Sequence, residues 1–221
     1  MPLKIHQLTV GDLQENCYIL ENSERREAVV VDPGDEAGVI LGQLKSLGVR
    51  VSAIWNTHAH FDHIGANAAV AEATGAPILI HQLEAAWLES ADLCGASLFG
   101  FPFRPSKASG TWADGDQFEA LGTQWIVRHA PGHSPGLCAI ISSGEKLVVG
   151  GDLLFRDSIG RMDLPGGSPA AMTNSLRSLF TQWSTDEFAV LTGHGPTTRI
   201  GRERTQNMLV KMALGPGLEE L

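Results

Sequence analysis

The stretch Thr57-His58-Ala59-His60-Phe61-Asp62-His63 sets four potential metal ligands within six residues. An apolar strand, Val51 to Thr57, leads into it, and an alanine-rich helix, Ile64 to Thr74, is predicted to follow. Alternate residues at a strand end point to one side, so His58 and His60 can meet one cation. Asp62 and His63 fall in the turn into the helix and can aim at a second position.

Three further candidates each follow a strand and sit beside glycine or proline. His133 lies in Pro131-Gly132-His133-Ser134-Pro135-Gly136. Asp152 follows Val148-Val149-Gly150-Gly151, and His194 lies in Leu191-Thr192-Gly193-His194-Gly195-Pro196. Five imidazoles and two carboxylates without thiolate suit Zn, Fe or Mn rather than a structural cysteine-rich zinc site. Cys17, Cys94 and Cys138 are far apart and form no C-x-x-C pair, so they read as buried free thiols. His6, His81 and His129 lack the glycine-flanked context and read as structural.

The elements that must carry these residues alternate strands with helices. Strands are expected at Ile5–Val10, Asn16–Leu20, Ala28–Val31 and Val51–Thr57, and helices at Glu36–Leu47 and Ile64–Thr74. A strand at Pro77–His81 and a short helix at Gln82–Ser90 follow. Ala91–Lys107 mixes Leu98, Phe99, Phe101 and Phe103 with Gly95, Gly100, Pro102 and Pro105 and has no clean period. It is expected to be a long loop, either a hydrophobic flap on the core, a substrate lid or a subunit contact. Further strands are expected near Gln117–Ala120, Trp125–His129, Leu137–Ser142, Lys146–Gly150 and Phe188–Thr192. Helices are expected at Pro169–Trp183, capped by Ser168, and at Arg202–Ala213, with a frayed tail from Gly215 to Leu221. Two such blocks suggest two sheets packed face to face with helices outside.

Composition narrows the function. The chain has 221 residues, 43% hydrophobic and 19% charged, which fits one folded domain over 1–221 rather than a disordered chain. Its formal net charge of −9 argues against a nucleic-acid surface, which needs clustered Lys and Arg. Neither a signal peptide at Met1–Val10 nor a membrane-spanning apolar run is read, so a cytoplasmic protein without membrane association is expected.

The T-H-x-H-x-D-H motif with the later His133, Asp152 and His194 resembles the metallo-β-lactamase superfamily, and within it the small glyoxalase II-like (hydroxyacylglutathione hydrolase-like) proteins. The resemblance runs from the strands before Asp32-Pro33-Gly34 to His194. It implies an α/β fold of four layers, αββα, with two mixed sheets and a dinuclear site. His58, His60 and His133 would hold one divalent ion, and Asp62, His63 and His194 a second. Asp152 would bridge both, and Asp62 would also serve catalysis. Two Zn ions are implied first, with Fe or Mn also suited. A hydroxide shared by the metals would be the nucleophile, so no Ser or Cys is required and Ser134 is set aside. Asp32 and Thr57 would hydrogen-bond the ligating imidazoles. The segment Phe155 to Ser168 resembles the family loop whose basic residue meets the glycine carboxylate of glutathione, and Arg161 is the matching candidate.

The chain departs from full-length glyoxalase II, whose extra C-terminal helical domain supplies much of the glutathione site. The implied activity is hydrolysis of S-D-lactoylglutathione or a related acyl-glutathione. Three alternatives stand beside it. One is a persulfide dioxygenase with a single iron on His58, His133 and Asp152. The others are a different hydrolase of the superfamily and a non-enzymatic metal-binding protein. The partner expected is a glutathione-linked small molecule, and the acidic surface and Phe-rich loop leave homo-oligomerisation open.

Overall fold

The computed structural model describes residues 3–215, so the expected tail lies, past Gly215, outside the described residues. The chain divides into two compact units, residues 1–112 with 120–122, and residues 113–119 with 123–221.

The first unit is built on a six-stranded mixed sheet of β1 (Lys4–Val10), β2 (Glu15–Asn22), β3 (Glu27–Val31), β4 (Arg50–Trp55), β5 (Ile78–His81) and β6 (Gly110–Trp112) in sequential order. β1, β2 and β3 pair antiparallel, whereas β3 through β6 are parallel. Parallel strands need crossovers, and helix α1 (Ala37–Leu47) makes the first of them. Its Ile40 and Leu44 are buried, and Gly48 closes it in the left-handed conformation. β3 is buried from Ala28 to Val31, as a central strand covered on both faces must be.

The helix expected from Ile64 to Thr74 is two helices, α2 (Phe61–Ile64) and α3 (Asn67–Thr74). Close backbone packing causes the break. A Cβ on Gly34 would overlap the carbonyl oxygen of Asp62, and one on Gly65 would overlap that of Gly34. The Ala66 amide donates instead to the Pro33 carbonyl at 2.9 Å. Asn56 and Asn67, both buried, exchange side-chain hydrogen bonds of 2.8 and 3.2 Å and tie α3 to the end of β4. The segment Gln82–Glu89 is a 3₁₀ helix capped by His81. The expected loop 91–107 contains a one-turn helix, α4 (Ala96–Phe99), and its Phe103 packs against the core.

The second unit carries β7 (Gln117–Ala120), β8 (Thr123–His129), β9 (Cys138–Ser142), β10 (Leu147–Gly151), a small hairpin of β11 (Leu154–Phe155) and β12 (Ser158–Ile159), then β13 (Ala189–Thr192) and β14 (Thr198–Arg199). The main sheet runs β14-β13-β10-β9-β8-β7, with β10 and β13 parallel. The hairpin, β6 and β14 carry too few residues to show a period. Helix α5 (Pro169–Ser178) starts on Ser168, whose hydroxyl accepts from the Ala171 amide, and its expected continuation to Trp183 is a π turn. The last helix is interrupted at Asn207. It becomes α6 (Ile200–Gln206) and α7 (Met208–Leu214), because the Asn207 carboxamide caps the amides of Leu209 and Val210. Among the described residues no helix is long and apolar enough to cross a membrane.

Two glycines separate packing from propensity. Gly34→Ala should cost more than ~2 kcal/mol, because the added carbon meets backbone that cannot yield. Gly42→Ala, on the exposed side of α1 with open space around it, should gain roughly 0.5–1 kcal/mol. Chemical denaturation of both variants checks the opposite signs.

Candidate metal centre

In the first unit, β3 and β4 end side by side, Val31 paired with Trp55. The Asp32 amide continues the ladder to the Trp55 carbonyl at 2.9 Å, and its side chain is buried in the crotch. Asp32 Oδ1 accepts the Thr57 amide at 2.7 Å, and Oδ2 accepts the Thr57 hydroxyl at 2.6 Å. Thr57 has thus spent its only hydroxyl proton. Its 3.1 Å contact with His58 Nδ1 must then be an Nδ1–H donating to Oγ1. His63 Nδ1 lies 3.2 Å from the same Asp32 Oδ2 and is likewise the donor.

Both imidazoles therefore carry their proton on Nδ1 and offer the Nε2 lone pair. Asp32, His58 and His63 bring side-chain atoms within 4.8 Å of one another. His60 packs edge-on against His58, with ring centroids 4.9 Å apart, and faces Trp87 at 6.1 Å. Asp62, on α2, keeps part of its side chain open, and its Oδ2 is 3.9 Å from His63 Nε2.

Two carboxylates that sequence reasoning missed complete this unit. Glu15, buried in β2, brings Oε1 to 3.7 Å from His63 Nδ1. Its signal was a charge at the head of the otherwise apolar run Cys17–Leu20. Glu84, fully buried, accepts the Ala59 amide at 2.6 Å and so holds the midpoint of the H-x-H segment. Nothing in its local sequence marks it. Burial, then the carboxylates of Glu15 and Asp32, push the Cys17 thiol up.

In the second unit, Asp152 directly follows β10, His133 lies between β8 and β9, and His194 follows β13. Asp152 Oδ2 is 3.4 Å from His133 Nε2 and 3.8 Å from His194 Nε2. His133 Nδ1 donates to the Arg161 carbonyl at 2.8 Å, which again puts the ring's lone pair on Nε2. The loop that brings this carbonyl in approaches tightly: a Cβ on Gly160 would overlap the Asp152 carbonyl. His194 meets the Phe155 ring edge-on at 5.9 Å.

The Arg161 guanidinium is exposed and grips Asp163 with two bonds of 2.7 and 2.8 Å. That grip holds the Asp163 carboxyl down to about 2, so the pair is intact at neutral pH. Gly132-His133-Ser134-Pro135-Gly136 has the spacing of a G-x-S-x-G elbow. Ser134 is nevertheless fully buried in a strand-to-strand loop, and its hydroxyl has no hydrogen-bond partner to act as base. His6 pairs with Glu21, His81 caps its helix and His129 bonds the Pro135 carbonyl.

The donor chemistry fits divalent metal. Ligands ~2.1 Å from a tetrahedral ion sit ~3.4 Å apart, close to the Asp152–His133 spacing. A buried Asp beside two imidazoles is the kind of group that a cation satisfies.

Comparison with known proteins agrees. Residues 10–194 match the family model described as the metallo-β-lactamase superfamily. A probable metallo-hydrolase, YqgX of Bacillus subtilis, is 34% identical over 206 residues, covering 93% of this chain and 96% of that protein. The hydroxyacylglutathione hydrolase GloC of Haemophilus influenzae is 28% identical, covering 93% and 97%. Among solved structures, the BLEG-1 B3 metallo-β-lactamase is 36% identical with a TM-score of 0.89, covering 94% and 99%. The di-iron-bound form of TTHA1623 is 40% identical with a TM-score of 0.82, covering 92% and 98%. With its two large mixed sheets, its helices and its histidine and aspartate clusters, the chain belongs to the metallo-β-lactamase superfamily of metal-binding hydrolases.

Proposed function

We propose that this protein is a thioester hydrolase of acyl-glutathiones, S-D-lactoylglutathione among them, working with two divalent ions. His58, His60 and His133 would hold one ion, Asp62, His63 and His194 the other, and Asp152 would serve both. The observation that carries this is the single Asp152 oxygen set between the Nε2 atoms of His133 and His194. A carboxylate so placed suits a ligand shared by two ions. The 28% identity to GloC supports the glutathione thioester as substrate, and the di-iron form of TTHA1623 supports a metal pair. Zn and Fe both fit the donors.

Bound there, the ions would supply Lewis acidity that makes water nucleophilic near neutral pH and polarises the thioester carbonyl. The chain's own residues do the rest. Asp32 and Thr57 hold His63 and His58 in one tautomer and one orientation. Asp62, the partly open carboxylate of the set, would pass a proton between the site and solvent. Arg161 would receive the glycine carboxylate of glutathione, which must displace Asp163 to do so.

Protein purified without chelator or added metal should carry about two ions per chain and hydrolyse S-D-lactoylglutathione. Asp152→Ala should lose both ions and the activity together; elemental analysis showing loss of one alone contradicts the shared ligand. A second reading, β-lactam hydrolysis, is favoured by the likeness to BLEG-1. Turnover of a chromogenic cephalosporin with none of any glutathione thioester would replace the first reading by the second.

Asp32→Asn sets an NH2 donor against the donors that one carboxylate oxygen now accepts, and should weaken metal affinity roughly 10–100-fold in a chelator competition. Arg161→Ala should raise KM for glutathione thioesters more than for a thioester lacking the glycine carboxylate. Asp163→Ala should lower the former KM by freeing the guanidinium. Equal shifts for both substrates would remove Arg161 from the binding site. The Arg161 carbonyl that holds His133 survives both changes.

A further inference from the structure

Within the first unit lies a cavity of about 250 Å³ that the proposed reaction does not yet use. One wall is α2, where Phe61 directly precedes Asp62. The loop Phe101–Arg104, whose Phe101 meets Phe61, continues the lining, and Val10 and Leu13 of the first hairpin contribute to the rest. Phe61 and Phe101 stack at 4.7 Å, and Phe99 lies against Phe61 at 5.7 Å. The polar lining is mostly acidic: Asp12, Asp35 and Asp62. Arg104, the one basic residue lining it, has its guanidinium on Glu72 at 2.5 Å.

We propose that this cavity is the acyl pocket and that it selects thioesters with a bulky apolar, preferably aromatic, acyl group. The inference rests on the reading of Asp62 as a metal ligand beside the reacting carbonyl. Three features of the cavity support it.

The first is charge. Glutathione carries two carboxylates, and Asp12 and Asp35, neither of them assigned to an ion, repel that end, so the neutral acyl end enters. The second is size. About eight waters at ~30 Å³ each would fill the cavity. A lactoyl thioester places six heavy atoms there, counting the sulfur, whereas a phenylacetyl thioester places ten and fills the space more completely. The third is lining. The phenylalanines reward an aromatic ring by offset or edge contacts. The distance of Asp62 along the same wall, one residue from Phe61, couples what fills the cavity to where the carbonyl sits.

The test compares phenylacetyl-glutathione with S-D-lactoylglutathione. The wild-type protein should favour the phenylacetyl substrate in kcat/KM. Phe101→Ala should lower that preference roughly ten- to a hundredfold. Phe103→Trp, which fills the cavity instead of emptying it, should lower it as well and guards against a misfolded alanine variant. An unchanged ratio in both variants overturns the proposal. If the wild-type protein hydrolyses neither substrate, the thioesterase reading fails while the pocket is still judged by binding. A neutral aryl amide, phenylacetamide, should then shift the Phe101 and Phe103 ring resonances and lose affinity in Phe103→Trp. No binding, or equal binding to the variant, overturns the pocket.

Discussion

The buried carboxylate of Asp32 is the interaction on which the first half of the site depends. A charge taken out of water is costly unless every lone pair finds a donor. Asp32 takes a backbone amide and a hydroxyl from Thr57 and an imidazole N–H from His63. The consequence spreads by proton counting. With its hydroxyl committed, Thr57 can only accept from His58, and two rings are locked in the tautomer that presents Nε2. One aspartate, at the point where two parallel strands end, thereby sets the tautomer of two candidate ligands. Its own left-handed backbone is a strain accepted for that placement.

Both units solve the same problem with the same parts. Candidate ligands sit past strand ends, in turns or a single helical turn, and glycine removes the Cβ that would stop two segments from touching. Gly34 against Asp62 does this in one unit and Gly160 against Asp152 in the other. The rigidity of the donor sets comes from backbone packing as much as from hydrogen bonds. This is why short, irregular segments can hold metal ligands at all.

Much of this was readable in the sequence. The seven donors stand out because histidines and aspartates cluster after apolar runs and beside glycine. β1 to β5 and α1 follow from alternation, β-branched runs and a glycine stop. What the sequence concealed has a common cause: it depends on contacts distant along the chain. The split of the Ile64–Thr74 helix follows from Gly34, some thirty residues earlier. Asn207 breaks the last helix by capping, a role that periodicity does not register. Strands of two or three residues, such as β11, β12 and β14, exist only through their partners. Glu15 and Glu84 act on His63 and Ala59 across long chain separations. The Arg161–Asp163 pair is short-range, yet an exposed arginine near an aspartate gives no hint that its carbonyl holds a histidine.

That carbonyl has an evolutionary meaning. Residue 161 orients His133 through an atom every amino acid possesses, while its side chain points to solvent. Mutation can therefore rewrite the side chain without touching the metal geometry. A lineage could drift from arginine to a neutral or acidic residue and keep the hydrogen bond that orients His133 throughout. The separation of a backbone duty from a side-chain duty at one position is a simple physical route by which a scaffold can change its side chain there without disturbing the histidine it orients.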